Sequence, residues 1–150
     1  MSEQANFCLQ DVNYARDYRL LRAVREPVFV FEQHVPIELE WDEVDPDCYH
    51  VLAFDMQQKP IGTGRLTPQH TIGRMAVLLD WRGRGVGDAL LLHLINKARE
   101  LGCPSVSLHA QTGAIGFYLK HGFVSYGPEY VEAGIKHQSM LLNLKMMATN

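Results

Sequence analysis

The sequence feature that most constrains the fold is a glycine-rich hexapeptide between a strand-like run and a helical run. Arg82-Gly83-Arg84-Gly85-Val86-Gly87 follows residues 73–78, which alternate like a strand, and precedes residues 88–101, which have helical periodicity. Glycines let backbone N–H groups approach an anion closely, and the first turn of a helix carries about half a positive charge. With the side chains of Arg82 and Arg84, this strand–turn–helix unit predicts a cradle for phosphate groups.

The spacing of the glycines excludes two common phosphate cradles. A Walker loop would end in Gly-Lys-Ser/Thr, but Gly87 is followed by Asp88 and Ala89. A Rossmann turn would need a third glycine where Asp88 stands. The remaining pattern, Arg82-x-x-Gly85-x-Gly87, resembles the pyrophosphate-binding motif of the GCN5-related N-acetyltransferases, the GNAT family. A plain glycine turn that caps a helix is the alternative interpretation.

A second motif lies downstream and resembles the same family. Residues 105–109 alternate like a strand, and Thr112 can cap a short helix that ends at Gly122. This helix carries the pair Phe117-Tyr118 before Gly122-Phe123, as in the second GNAT signature. The resemblance implies that Tyr118 faces the sulfur of acetyl-CoA. A core tyrosine packed on Phe117 is the alternative.

The resemblance also implies which residues bind acetyl-CoA. Pantetheine is expected to enter between two diverging central strands and to meet free backbone groups of one of them. Gln111 departs from the asparagine that is frequent at its position in the family. The expected acetyl-CoA-binding residues are Met75, Ala76, Val77, Arg82, Gly83, Arg84, Gly85, Val86, Gly87, Asp88, Gln111 and Phe117.

Composition predicts one soluble α/β domain over residues 1–150. The chain is 47% hydrophobic and 21% charged, with a formal net charge of −3, so it lacks the basic balance typical of nucleic-acid binding. The sequence contains no apolar run of about twenty residues and no signal-like start, which predicts a cytoplasmic protein without membrane contact. Three cysteines without a CxxC pair predict reduced thiols, and seven scattered histidines give no metal spacing. The expected oligomeric state is a monomer or a homodimer.

Periodicity predicts alternating strands and amphipathic helices in an order that agrees with the GNAT fold. That fold is a mostly antiparallel, twisted sheet of six to seven strands with a central splayed parallel pair and about four flanking helices. Strands are predicted at residues 7–9, 49–54, 61–66, 71–78, 105–109 and 139–144. Helices are predicted at residues 14–25, 29–33, 88–101 and 112–122, with Pro27 interrupting the first two. Residues 28–33 and 132–140 resemble the ElaA/YjcF branch of the family.

The implied reaction is transfer of acetyl from acetyl-CoA to a primary amine of a small molecule or peptide by direct attack. An alkyl amine has a pKa near 10.4, so a base must remove its proton. His137 is the preferred base because histidine titrates near neutrality and related enzymes place a histidine there. Glu129, Glu132 and water are the alternatives. Tyr118 is expected to donate a hydrogen bond to the leaving thiolate.

The acceptor side is less constrained by the sequence. By resemblance, Glu32 and Gln33 are expected to bind the acceptor, with Arg22 and Arg25 nearby. Residues 38–47 are acidic and lie in a region without Lys or Arg, which predicts either attraction of a cationic amine or a solvated loop. Two alternatives to the acetyltransferase remain: a catalytically silent acyl-CoA-binding module, and an acyltransferase for another acyl-CoA or a hydroxyl acceptor.

Overall fold

The computed structural model describes residues 6–144, except for the side chains of Glu38 and Leu39. Eight strands in these residues form one mixed sheet, flanked by helices. The strands are β1 (Phe7–Val12), β2 (Tyr49–Asp55), β3 (Pro60–Leu66), β4 (Thr71–Val77), β5 (Ser105–Gln111), β6 (Val124–Ser125), β7 (Tyr130–Glu132) and β8 (Ile135–Asn143). The helices are α1 (Tyr14–Arg25), a π-helix (Glu26–Glu32), α2 (Ile37–Glu40), α3 (Val86–Glu100) and α4 (Ile115–Lys120). Three-residue 3₁₀ turns lie at Asp45–Asp47, Leu79–Trp81 and Thr112–Ala114.

The sheet has the expected mixed, mostly antiparallel topology. Its order is β1-β2-β3-β4-β5-β8-β6, and β7 pairs with β8. Within the described chain, β4 and β5 form the parallel pair and the other strand pairs are antiparallel. The two strands that the sequence did not predict, β6 and β7, have two and three residues. Strands this short are below the length at which alternation becomes detectable.

The parallel pair diverges, which creates the central gap of the fold. β4 and β5 pair at Thr71–Ser107 and Ile72–Leu108, and no further pairs join them. β4 continues along β3 to Val77, so its other edge is left without a strand partner over residues 73–77. We call the space between these segments of β4 and β5 the strand gap.

A bulge in β4 lies beside the strand gap. Ala76 pairs with Thr63 and Gly73 pairs with Arg65, so β4 carries one extra residue between these pairs. Arg74, inside the bulge, has a φ of 47°. A left-handed conformation is unfavourable for a residue with a side chain, and bulges turn the backbone of a strand locally.

The two faces of the sheet are covered by different helices. α3 buries Leu90, Leu91 and Leu94 against alternate residues of β2 such as Val51. On the opposite face, α1 and the π-helix pack Val24 and other apolar side chains on the intervening residues of β2. The period-two alternation of the strands is therefore satisfied on both faces.

The helical region after α1 differs from the expectation that Pro27 interrupts it. The chain passes from Arg25 directly into the π-helix, with Pro27 in its first turn. A proline is tolerated there because the first turn needs no N–H donor. The wider turns close with Gln33 N–H on the Val28 carbonyl at 3.0 Å.

The acidic run is only partly solvated, since Glu43 and Asp47 are exposed but other acids of the run are not. Glu40 and Asp45 are buried and meet arginines that come from other parts of the chain. Arg25 contacts Glu40 at 2.6 Å and Asp45 at 2.9 Å, and Arg65 contacts Asp45 at 2.7 Å. The acidic run has no basic residues of its own, and its arginine partners come from α1 and β3.

Each of the three cysteines, Cys8, Cys48 and Cys103, is a free thiol. Their burial ranges from exposed at Cys8 to buried at Cys103.

None of the helices within residues 6–144 combines the length and the apolar character that crossing a membrane requires.

Candidate active site

A cavity of about 450 Å³ opens into the strand gap. Its walls come from β4, β5, α4, the π-helix and the residues after it, part of the acidic run and the β7–β8 hairpin. Of the sequence-predicted site residues, the cavity brings together Gln33, Met75, Gln111, Tyr118 and His137. Residues from five separate elements therefore line one space.

The glycine-rich turn leads directly into α3, and we call residues 82–88 the cradle, after the phosphate cradle that the sequence predicts. Gly83 and Gly85 have φ values of 77° and 87°, a conformation in which glycine avoids the strain of other residues. Gly85 caps α3 without a side-chain hydrogen bond, and the first helical bond runs from Ala89 N–H to the Gly85 carbonyl at 3.0 Å. The N–H groups of residues 86–88 therefore have no partner within the helix and suit an anion.

The two arginines of the cradle have different surroundings. Arg84 is exposed and stacks its guanidinium over the Trp81 ring at 4.4 Å. Arg82 donates to both carboxylate oxygens of Glu32 at 2.6 Å and to the Val77 carbonyl at 2.8 Å. This hydrogen bonding lowers the pKa of Glu32, so Glu32 and Arg82 are both charged at neutral pH.

The two sequence motifs contact each other in space. The ring of Phe117 lies within 3.5 Å of where a Cβ on Gly87 would stand, so α4 packs against the first turn of α3. His121 and Asp88 are 2.7 Å apart between the same two helices. The third glycine of the cradle thus lies beside Phe117 of the second motif.

Tyr118 combines burial with a place on the cavity wall. Its ring packs edge-on against Phe117 and Phe123, with centroids 5.0 and 5.9 Å away. Burial raises the pKa of Tyr118 to about 12. The hydroxyl is therefore protonated across the physiological range and can act as a hydrogen-bond donor.

His137 is held by the β7–β8 hairpin. Its Nδ1 lies 2.8 Å from the Ile135 carbonyl, and because a carbonyl only accepts, Nδ1 carries the proton of this bond. The ring also stacks on Tyr130, with centroids 5.7 Å apart and planes at 20°. In the neutral ring, Nε2 then keeps its lone pair and can accept a proton.

The competing acids lie differently. Glu132 lines the cavity next to the hairpin turn, whereas Glu129 is exposed and does not belong to the cavity wall.

Met75 lines the cavity, while Ala76 and Val77 are paired with Thr63 and Gly62 on β3. Of the two expected acceptor residues, Gln33 faces the cavity and Glu32 pairs with Arg82.

Several cavity residues were not predicted from the sequence. His109 lies within 2.7 Å of the Tyr130 hydroxyl, which links β5 to the hairpin. Arg74 donates to the Glu40 carbonyl at 3.1 Å and to Asp42 at 3.3 Å, so the acidic segment closes one side of the cavity. Burial lowers the pKa of Arg74. No local pattern could have revealed these residues, because each meets its partners only through the sheet topology.

No group of three or more His, Cys, Asp or Glu side chains within residues 6–144 is arranged to hold a metal ion.

Comparison with known proteins places these observations in a family. A family model described as "Acetyltransferase (GNAT) domain" matches residues 15–144. The Bacillus subtilis (strain 168) protein "Uncharacterized N-acetyltransferase YjcF" is 40% identical over 122 residues, which are 79% of this chain and 86% of that protein. This similarity agrees with the YjcF branch expected from residues 28–33 and 132–140.

Solved structures give the same result for the fold. An acyl-CoA N-acyltransferase from Pseudomonas aeruginosa is 28% identical with a TM-score of 0.80, over 91% of this chain and 99% of that chain. Escherichia coli ElaA is 25% identical with a TM-score of 0.76, again over 91% and 99%. The expected resemblance to ElaA is therefore confirmed.

Proposed function

The chain belongs to the GNAT acetyltransferase family, and from this premise we propose that it moves an acetyl group from acetyl-CoA to a primary amine. The acceptor is a small molecule or peptide, and the amine attacks directly, without a covalent intermediate on the protein. The observation that carries the proposal is that Tyr118 and His137 line one cavity together with Met75 on the unpaired edge of β4.

The cradle and the strand gap fit acetyl-CoA. The N–H groups at the start of α3 and the exposed Arg84 suit a diphosphate, since anions bind at helix N-termini and pair with guanidinium groups. The backbone of residues 73–77 that faces the strand gap suits the amides of a pantetheine arm. Phe117 against Gly87 and Gln111 on the cavity wall complete this surface.

When bound, acetyl-CoA supplies the acetyl group as a thioester, and CoA leaves as a thiolate that takes its proton from solvent. The chain removes the proton of the amine and stabilises the thiolate. Nε2 of His137 accepts the proton that an ammonium group must lose before it can attack. Oη of Tyr118 keeps its proton, because the pKa is raised to about 12, and donates a hydrogen bond to the departing sulfur.

The expected proton acceptor has one nearby competitor. Glu132 lines the same cavity, but it is exposed and carboxylates in water are weak bases. We therefore assign the base to His137.

We also propose a cytoplasmic location, which three free cysteines favour, and a monomeric or homodimeric state.

Thermal unfolding with acetyl-CoA, CoA, ATP and NAD tests the proposal. A ligand that binds the native state at 100 times its Kd adds about 2.7 kcal/mol, which raises the Tm of a chain this size by roughly 5 to 10 °C. We expect that rise with acetyl-CoA and CoA alone. Thiol release during a screen of amines then identifies the acceptor.

Three results would contradict the proposal. The absence of a shift with both CoA compounds would reduce the cradle to a helix-capping turn. A shift without thiol release for any amine would favour the silent acyl-CoA-binding module, and release with hydroxyl acceptors or longer acyl-CoA would favour the other acyltransferase.

A further inference from the structure

Arg82 is already committed to partners in the protein. Nη1 and Nη2 each donate to one oxygen of Glu32 at 2.6 Å, and Nε donates to the Val77 carbonyl at 2.8 Å. Such a two-pronged arginine–carboxylate contact fixes the plane and the direction of the guanidinium. Val77 is the last residue of β4 and Glu32 is the last residue of the π-helix. Arg82 therefore joins the end of β4 to the end of the π-helix.

Gln33, the residue after Glu32, makes the matching connection to β5. Gln111, the last residue of β5, donates from Nε2 to Oε1 of Gln33 at 2.8 Å. Gln33 follows Glu32 directly, and its backbone N–H is held by the Val28 carbonyl at 3.0 Å. The side chains of two consecutive residues therefore reach the two strands that border the strand gap.

The ends of β4 and β5 lie at the open side of the strand gap, because the parallel strands pair at Thr71–Ser107 and Ile72–Leu108 and separate beyond. We propose that Arg82, Glu32, Gln33 and Gln111 form a clamp that sets the width of the strand gap. In this role Arg82 and Glu32 are positioning residues and not separate ligands of phosphate and acceptor.

The clamp has a consequence for acetyl-CoA, and this part rests on the proposed function. The pantetheine arm needs the strand gap at a fixed width, so loss of either clamp partner weakens binding. The diphosphate is left to the N–H groups of the cradle and to Arg84. Because the clamp holds the gap beside Tyr118 and His137, it also sets the distance from the acetyl group to the cavity.

The two roles of Arg82 differ in the sign of one measurement, the effect of Glu32→Gln on the Kd for acetyl-CoA. If Arg82 were a phosphate ligand restrained by Glu32, removal of the carboxylate charge would release Arg82 and tighten binding. If Arg82 and Glu32 form the clamp, Glu32→Gln weakens binding. Calorimetric titration of acetyl-CoA into the protein gives the Kd without any turnover.

A double-mutant cycle completes the test. We expect Glu32→Gln and Arg82→Gln each to raise the Kd about tenfold, and the double variant to be no worse than either single variant, because partners in one contact are not additive. Gln111→Ala should raise the Kd in the same way. With acetyl-CoA saturating and the amine varied, all of these variants should also lower kcat while the KM for the amine stays unchanged.

Arg16→Gln is the matched control, since Arg16 and Asp17 form a pair of the same 2.6 Å length at the start of α1. It should leave both the Kd and kcat at the wild-type values. Unchanged or tighter binding in Glu32→Gln, or a double variant whose loss is the product of the two single losses, would overturn the clamp. If the wild-type protein itself does not bind acetyl-CoA, the proposed function fails first, and the two failures are distinguishable.

Discussion

At the scale of single residues, the cavity holds two groups whose protons are assigned by different physical causes. Tyr118 keeps its proton because burial disfavours the phenolate and raises its pKa to about 12. His137 has its Nδ1 proton directed to the Ile135 carbonyl, which leaves Nε2 as the accepting atom. The cavity therefore holds a hydrogen-bond donor for the leaving thiolate and a proton acceptor for the amine.

Removing the Tyr118 hydroxyl should slow turnover without disturbing the fold. We expect Tyr118→Phe to lower kcat by roughly 10² to 10⁴, the usual contribution of a positioned proton donor, because the ring contacts with Phe117 and Phe123 remain. The Kd for acetyl-CoA and the Tm should stay close to the wild-type values. Full turnover in this variant would leave Tyr118 as a packing residue.

Replacing His137 should remove the fall in kcat/KM that we expect of the wild type at low pH. In the wild type, kcat/KM should fall at low pH because a protonated imidazole cannot accept a proton. His137→Gln should lower kcat/KM by roughly 10² to 10⁴ near neutral pH and flatten the acid limb. His70→Asn, on the turn before β4, is the control and should keep the wild-type profile. A profile that is unaltered in His137→Gln would transfer the base to Glu132 or water.

At the scale of elements, α3 approaches the sheet more closely than a side chain on β3 would permit. A Cβ on Gly62 would lie 2.9 Å from Cγ1 of Val86 and 3.1 Å from Cδ1 of Leu90. Val86 is the first residue of α3, so this glycine sets the position of the cradle relative to β3 and β4. The stiff side chain of a β-branched residue cannot easily turn away.

Gly62→Ala should therefore destabilise the protein by about 1 to 3 kcal/mol, the usual cost of overpacking a core. The Tm should fall by several degrees, and the Kd for acetyl-CoA should rise because the start of α3 is displaced. Gly73→Ala is the control for the Tm alone, since a Cβ there meets nothing within 4 Å. Equal Tm values for the two variants would show that α3 adjusts without cost.

At the scale of the whole molecule, a largely buried ion network fastens the acidic segment to α1 and to strands β3 and β4. Its contributors are α1 through Arg25, β3 through Arg65, β4 through Arg74, and the acidic segment through Glu40, Asp42 and Asp45. Burial by itself would raise the pKa of Asp45, but Arg25 and Arg65 outweigh it and hold the pKa at about 2. Burial lowers the pKa of His50, which contacts the Asp45 carbonyl at 2.8 Å.

This network should make the free energy of unfolding fall with acid in two stages. His50 has a native pKa below its ordinary 6.5, so the unfolded chain binds its proton first and stability declines as the pH falls below 6.5. The depressed pKa of Asp45 contributes about 2 kcal/mol that is present above pH 4 and lost between about pH 4 and 2. Denaturant titrations from pH 7 to about pH 2 measure both stages.

His50→Gln isolates the first stage. It should flatten the decline between pH 6.5 and 5 and keep the later loss. A wild-type stability that stays constant between pH 7 and 5 would mean that His50 is as easily protonated in the native state as in the unfolded one.

The sequence by itself determined the local elements and the two motifs of the site. Glycines in the cradle are visible because a tight turn before a helix requires them, and Phe117-Tyr118 stands out because an aromatic pair before Gly-Phe is a local pattern. Period-two alternation likewise located the long strands, and the order of elements predicted the mixed sheet. These properties depend on residues close together in the chain.

Only the tertiary structure decided which charged side chains meet. Arg82 and Glu32 are 50 residues apart, and the acidic segment finds its arginines on α1, β3 and β4. The sequence left a solvated loop or attraction of a cationic amine as alternatives, and the burial of Glu40 and Asp45 departs from the first because a sequence shows the charges but not the partners that a sheet brings to them. Neighbouring strands hold the short strands β6 and β7 and the bulge at Arg74 in place. Local propensity therefore does not predict them.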